Sequence, residues 1–181
     1  MTGERAILVL DDDPDVALAA RYALAEVTDR VDAAASLDDL ETWLKARPYD
    51  AVLLDMNFVA GDSSGRAGLD GLARTRSLDP AVAVVLMTAY GGVALAVEAL
   101  KRGASDFVLK PWKNERLAEA LSAAMALTRS HRAAHRATLD EVEREAIQEA
   151  LARHAGNISK TAEALGVTRP ALYRKIEKHG L

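Results

Sequence analysis

Cysteine is absent from this chain of 181 residues, which excludes disulfide bonds and thiolate metal sites and fits a reducing compartment. Aromatic residues are scarce, at two Phe, two Trp and four Tyr, so a core has to be built mostly from aliphatic side chains. No apolar run approaches the roughly 20 residues needed to cross a bilayer. Met1–Arg5 lacks the basic segment and apolar stretch of a secretory signal, and a soluble cytoplasmic protein with no membrane partner is expected. No G-x-x-x-x-G-K-[ST] segment occurs, which argues against a nucleotide-binding loop. There are no internal repeats and no low-complexity tract.

What is present is an ordinary globular composition, 50% hydrophobic and 28% charged, of a length that suits one large domain or two small ones. Charge is unevenly spread. Residues 1–128 carry 13 Lys/Arg against 20 Asp/Glu, and residues 129–181 carry 10 against 7. An acidic body with a basic tail hints at nucleic-acid contact at the tail.

Up to about residue 128, short aliphatic runs alternate with helical periodicities. Ala6–Leu10, Ala51–Leu54, Val82–Met87 and Phe107–Leu109 read as strands buried on both faces, with the alanine-rich Arg30–Ala35 as a poorer fifth. Asp15–Val27, Leu37–Arg47, Gly68–Leu78, Gly92–Arg102 and Asn114–Leu127 carry apolar residues at helical spacing. Asp13 before Pro14 marks an N-cap, and Ser36 with Asp39 resembles a capping box. Five such alternations predict an α/β fold, a doubly wound five-stranded parallel sheet of the flavodoxin-like kind, with its ligand site at the carboxyl ends of the strands. Residues 129–137 are expected to link this domain (1–128) to a small all-α one (138–181), as a linker or as a helical extension of the preceding element. Thr138 with Glu141 suggests a capping box for a helix through His154, followed by helices Asn157–Leu165 and Thr168–His179 around Gly166.

On such a sheet the strand ends decide the chemistry. The first strand ends in Asp11, Asp12 and Asp13 and the third in Asp55. If those strands are neighbours, Asp11, Asp12 and Asp55 converge, and their mutual repulsion suits a hard divalent cation. The fourth strand ends in Thr88 and the fifth in Lys110. Carboxylates, a hydroxyl and an ammonium together make a site for a phosphoryl group, with one carboxylate as nucleophile. Each feature alone has a plainer explanation: Asp13 is more simply a helix cap, and Phe107 can be a core residue. His131 and His135 lie four apart on a helical face, but with no third ligand they read as solvated linker residues.

The blocks ILVLDDDP (7–14), AVLLDMN (51–57), VVLMTAYG (84–91) and DFVLKPW (106–112) resemble the signature blocks of two-component receiver domains over about residues 5–127. The resemblance implies that Asp55 accepts phosphate from a sensor histidine kinase as an acyl phosphate. It implies Mg²⁺ held by Asp12 and Asp55 directly, by Asp11 through water and by the backbone carbonyl of Asn57. It further implies Lys110 on the phosphoryl oxygens, a cis Lys110–Pro111 bond, and Thr88 with Phe107 as a switch pair. The segment NFVAGDSSGRAG (57–68) is longer than the short, proline-containing loop usual in the family and reads as a surface loop near Asp55. This insertion, with MTAYG and the KPW ending, is similar to receivers of the nitrogen-regulator (NtrC-like) branch.

The tail GNISKTAEALGVTRPALYRKIEKHGL (156–181) has the form helix, glycine turn, helix. Ala162, Leu165, Val167, Leu172 and Ile176 are spaced to close a small core with Ile147 and Leu151. Thr168 caps the last helix, whose exposed face is expected to carry Arg169, Tyr173, Arg174 and Lys175. A helix so placed can enter the major groove of double-stranded DNA, with Arg169 on a base and Arg174, Lys175, Asn157 and Ser159 near phosphates. GN (156–157), AEALGV (162–167) and R-x-x-LYRK (169–175) resemble the Fis-type helix-turn-helix over about residues 138–181. That resemblance implies a homodimer paired through the helix Leu139–His154. The near-direct fusion, with no ATPase module between, looks like the compact receiver-plus-Fis regulators of the RegA/PrrA/ActR group. A two-component response regulator is expected, an acceptor with at most slow self-dephosphorylation rather than an enzyme. The competing readings are a phosphorelay or interaction module whose C-terminal helices only oligomerise, and a small-molecule phosphatase or phosphotransferase.

Overall fold

Strands β1 (Ala6–Leu10), β3 (Ala51–Asp55) and β4 (Val84–Thr88) are buried along their whole length, as runs of Val, Leu, Ile and Ala covered on both faces must be. In a computed structural model, which describes residues 4–58, 65–89 and 93–181, they form the middle of a five-stranded sheet. β2 (Arg30–Ala34) and β5 (Asp106–Leu109) are its edges, the order is β2-β1-β3-β4-β5, and every pair is parallel. β1 and β3 are therefore neighbours, the condition on which the expected acidic pocket depended.

Successive side chains of each strand point to opposite faces. Leu8, Leu10, Val52, Leu54, Val84 and Leu86 enter one core with Leu40 of α2 (Leu37–Ala46), Leu69 and Leu72 of α3 (Arg66–Leu78) and Ala99 of α4 (Val93–Lys101). Ile7, Val9, Leu53, Val85 and Met87 enter the other with Ala17 and Ala20 of α1 (Pro14–Ala23) and Leu117, Ala120 and Leu121 of α5 (Asn114–Arg153). Capping sets two helix starts. Asp13 accepts the Asp15 N–H at 2.9 Å, with Pro14 opening α1. Ser36 accepts the Asp39 N–H at 3.1 Å while Asp39 accepts the Ser36 hydroxyl at 2.9 Å. Most of the loop after Asp55, residues 59–64, lies outside the described residues, as do Tyr90, Gly91 and Gly92 and the start of the chain, residues 1–3.

The helix α5 spans Asn114–Arg153 without a break, so residues 129–137 are helical and no second helix starts at Thr138. Instead of capping, Thr138 donates its hydroxyl to the Ala134 carbonyl at 3.1 Å, one turn back. The reason is compositional. Residues 114–153 contain neither glycine nor proline, so nothing in the backbone stops the helix.

By its internal contacts the chain divides into Met1–Arg132 and Ala133–Leu181. Within the second unit, the end of α5 packs with α6 (Ile158–Ala164) and α7 (Arg169–His179) on a small core of Ile147, Ala162 and Leu172. Leu151, Ile158, Leu165, Val167 and Ile176 border it. Asn157 caps α6 by accepting the Lys160 N–H, and Thr168 caps α7 by accepting the Ala171 N–H. Gly166 takes a left-handed φ of 65° between them, a conformation that costs other residues energy.

Candidate functional site

The carboxyl ends of β1, β3, β4 and β5 deliver the expected groups to one edge of the sheet. Asp11 follows β1 and Asp55 closes β3; both side chains are nearly buried, at 2% and 8% exposure. Asp12 is exposed, and oxygens of Asp11, Asp12 and Asp55 lie within 4.8 Å of one another. The backbone N–H of Lys110 donates to the Thr88 carbonyl at 2.8 Å, tying the end of β5 to that of β4. The Lys110 ammonium then reaches Asp11 Oδ2 at 2.5 Å and Asp55 Oδ1 at 3.2 Å. The Lys110–Pro111 peptide is cis. Thr88 is buried at the end of β4, and Phe107 is half-buried against the core that contains Leu86.

The electrostatics follow from that crowding. Burial pushes the Asp55 carboxyl above its ordinary range, Lys110 opposes the shift, the neighbouring Asp11 adds to it, and bonds from Lys110 and the Asn57 N–H lower it again. Asn57 is half-buried and its side-chain oxygen accepts the Gly65 N–H at 3.1 Å. α3 is drawn close to the end of β3, with the Gly68 N–H donating to the Met56 carbonyl at 3.1 Å. A Cβ at Gly68 would lie 2.5 Å from Met56 Cα, so only glycine fits there. The donor set is three carboxylates and no soft ligand, which suits a hard divalent cation such as Mg²⁺. Chemically, the edge offers a near-buried carboxylate nucleophile with a cationic partner beside it.

Sequence reasoning did not anticipate an open, largely apolar cavity of about 520 Å³ next to this edge, lined by Asp15, Val16, Ala19, Ala89, Lys110, Pro111 and Trp112. Trp112 was its one available signal. Nor did it anticipate how residues 128–132 of α5 are anchored. Thr128 accepts the Ala83 N–H at 2.9 Å, and Arg132 donates to the Tyr49 carbonyl and the Asp79 carboxylate at 2.8 and 2.7 Å. His131 is likewise not a free linker residue, since its Nδ1 lies 3.2 Å from the Ala81 carbonyl.

In the second unit, α7 exposes Arg169, Tyr173 and Arg174, and Ser159 is exposed on α6. Thr168 and Asn157 are both exposed and occupied as caps. Lys175 departs from the expected open face: it is only 35% exposed, and its ammonium is bonded to Glu143 of α5. Glu143 also accepts from His179 Nε2 at 2.8 Å and Lys178 Nζ at 3.3 Å, and Lys178 reaches Asp140 at 2.6 Å. The bonds from Lys175, then His179, outweigh desolvation and hold the Glu143 carboxyl down to about 2. The apolar Leu139 and Val142 of α5 are more than half exposed.

Comparison with known proteins agrees with this geometry. Residues 7–122 match the family described as response regulator receiver domain, and residues 138–179 match the family described as bacterial regulatory protein, Fis family. The chain is 35% identical over 127 residues to transcriptional regulatory protein ZraR of Salmonella typhimurium, covering 70% of this chain and 28% of that protein. It thus spans little more than a quarter of the length of that curated relative. The receiver domain of a two-component response regulator from Bacteroides fragilis superposes with a TM-score of 0.60 at 36% identity, covering 68% of this chain and 98% of that one. A response regulator from Burkholderia pseudomallei, crystallised with a phosphorylated aspartic acid, calcium ion and citrate, covers 94% of this chain and 98% of its own (TM-score 0.58, 28% identity). A five-stranded parallel sheet whose β1, β3, β4 and β5 bring Asp11, Asp12, Asp55, Thr88 and Lys110 to one edge, ahead of a helix-turn-helix, places this chain in the response regulator receiver family, with a C-terminal segment that matches the Fis family.

Proposed function

We propose that this chain is a two-component response regulator that accepts phosphate on Asp55 from a sensor histidine kinase and regulates transcription by binding double-stranded DNA as a homodimer. The observation that carries it is the meeting of Asp11, Asp55 and Lys110 at one sheet edge, in a chain that also holds a helix-turn-helix. In the transfer step an Asp55 carboxylate oxygen attacks the phosphorus of a phosphohistidine. The P–N bond breaks, its electron pair returns to the imidazole, which takes up a proton, and an acyl phosphate forms. Burial makes Asp55 more basic while Lys110 favours its ionised form, which suits a nucleophile that must be both charged and reactive.

Mg²⁺ would be held by Asp12 and Asp55, by Asp11 through water and by the Asn57 backbone carbonyl, and would neutralise phosphoryl oxygens there. Phosphorylation brings about −1.5 to −2 charges to Asp55. Lys110 exchanges its bond to Asp11 for the phosphoryl oxygens, the Thr88 hydroxyl donates to the new group, and Phe107 turns into the space left behind. The α4 and β5 surface leaves Val97, Leu100 and Leu109 exposed, and its rearrangement alters dimerisation. Exposed Leu139 and Val142 support pairing of the DNA-binding units across a two-fold axis. Functionally, residues 1–128 receive, 129–137 connect and 138–181 read DNA. Arg169 meets a guanine edge, Tyr173 and Arg174 follow along the groove, and Asn157, Ser159 and Thr168 lie near phosphates. A kinase that phosphorylates from ATP and a chromosomal target place the protein in the cytoplasm. Slow self-hydrolysis of the acyl phosphate is the extent of its catalysis.

The test is a retardation assay of the full chain on genomic fragments, with and without acetyl phosphate and Mg²⁺. Binding that weakens steeply with salt, and whose phosphate response is lost in Asp55→Ala, supports the proposal. Phosphate uptake without DNA retardation at any salt leaves the alternative, C-terminal helices that only oligomerise.

A further inference from the structure

We infer that Glu143 is the positioning residue of the DNA-reading helix, an ionic latch on α5 that gathers Lys175, Lys178 and His179 of α7 and, with Asp140 on Lys178, keeps both lysines off the DNA. This rests on the DNA-binding function proposed above and narrows it.

The apolar core of this unit is small. Only Ile147, Ala162 and Leu172 are buried in it, and apolar contact has no preferred direction. Leu172 grips the first half of α7. Beyond Ile176, contacts that fix the helix direction have to be polar. Lys175, Lys178 and His179 lie three and four residues apart, on one face of the last turns. All three converge on one carboxylate, Oε1 taking Lys175 and Oε2 taking His179 and Lys178, with Asp140 taking the second bond of Lys178. His179 retains only 7% exposure. One end of α7 is thus held by packing and the other by directional bonds, which together set the helix angle.

Asp140, Glu143 and His179 would also place three metal-capable atoms within 4.8 Å. The two ammonium groups already occupy and balance those carboxylates, so the cluster is a latch rather than a cation site. Arg169, Tyr173 and Arg174 remain exposed for contact with DNA. An ammonium engaged with Glu143 releases no counterion from DNA when the complex forms, so Lys175 and Lys178 add nothing to the salt dependence of binding.

The full chain, Glu143→Gln, Lys175→Gln and the double variant are titrated by fluorescence anisotropy at several salt concentrations. The probes are a mixed-sequence duplex and the tightest duplex recovered by in vitro selection with the parent chain. Glu143→Gln frees Lys175, leaves Lys178 on Asp140 and loosens α7. It should bind the mixed-sequence duplex more tightly, with a log–log salt slope steeper by up to about 0.9. Its preference for the selected duplex should fall about tenfold, the worth of roughly one base pair. Lys175→Gln should leave the parent slope unchanged while losing preference, and the double variant should be less steep than Glu143→Gln alone. A Lys175→Gln slope shallower than the parent by about 0.9 makes Lys175 a phosphate contact and overturns the latch. So does a Glu143→Gln variant with undiminished preference. Failure of the parent to bind either duplex at low salt removes the DNA-reading function itself, and this inference with it.

Discussion

Replacing Lys110 with methionine keeps an unbranched side chain and removes the ammonium that holds the acidic edge together. That ammonium lies 2.5 Å from Asp11 and 3.2 Å from Asp55, whose side chains are 2% and 8% exposed. Without it, two near-buried carboxylates face each other with no cation between them. Removing one partner of a buried ion pair costs about 3–5 kcal/mol. Lys110 is itself 18% exposed and Asp12 opens the edge to water, so about 2–3 kcal/mol is the better expectation. For a unit of this size that is on the order of 10 °C in Tm. The pH dependence has a definite sign. Burial holds Asp55 above its ordinary 3.8 in the folded state, so its ionisation costs stability as pH rises, and the cost vanishes below that value. Loss of Lys110 enlarges it. The gap between parent and Lys110→Met should therefore be widest at neutral pH and close towards about pH 4. Added Mg²⁺ should narrow it too, because carboxylates freed of the lysine remain good divalent ligands. Urea denaturation of the receiver unit, followed by tryptophan fluorescence at several pH values with and without Mg²⁺, measures all of this. Equal midpoints for the two proteins at neutral pH would refute the electrostatic account of the edge.

Further expectations follow from neighbouring features. Asp55→Asn keeps the Lys110–Asp11 pair and relieves a buried charge, so it should raise receiver stability by about 0.5–2 kcal/mol while abolishing phosphate uptake, read by denaturation and by mass spectrometry. Gly68→Ala forces a Cβ to within 2.5 Å of the Met56 backbone. It should cost about 1–3 kcal/mol in denaturation and slow phosphorylation of the nearby Asp55. Bonds from Lys175, His179 and Lys178 hold the Glu143 carboxyl at about 2 against an ordinary 4.5. Its folded pKa is depressed, so the stability it lends the helical unit is present above 4.5 and lost as pH falls through 2. Acid titration followed by circular dichroism should show this loss, about 1 kcal/mol after allowance for solvent screening, flattened in Glu143→Gln.

Much of the receiver could be read from the sequence because its rules are local. Short aliphatic runs such as Leu8–Leu10 and Val52–Leu54 have one stable home, a sheet covered on both faces. Capping residues such as Asp13 and Ser36 act within three positions of themselves. The acidic edge needed one step more, the adjacency of β1 and β3, which a doubly wound order supplies. Long-range polar contacts gave no such signal. Nothing near Glu143 in sequence says that it meets Lys175, 32 positions on, so Lys175 looked like an ordinary exposed cation. Arg132 and Asp79 are equally silent about each other. Thr138 misled for a different reason. A hydroxyl three residues before an acid suits a helix start, but it also tolerates a helix interior by bonding one turn back. In a stretch without glycine or proline, continuation won.

The most direct test of the account is to expose the full chain to acetyl phosphate and Mg²⁺, trap the product by borohydride reduction, and locate the modified residue by peptide mass spectrometry. The account predicts a single phosphoryl group, labile to hydroxylamine, with reduction confined to position 55 and absent in Asp55→Ala. Phosphorylation of another residue, or undiminished uptake by Asp55→Ala, would contradict it.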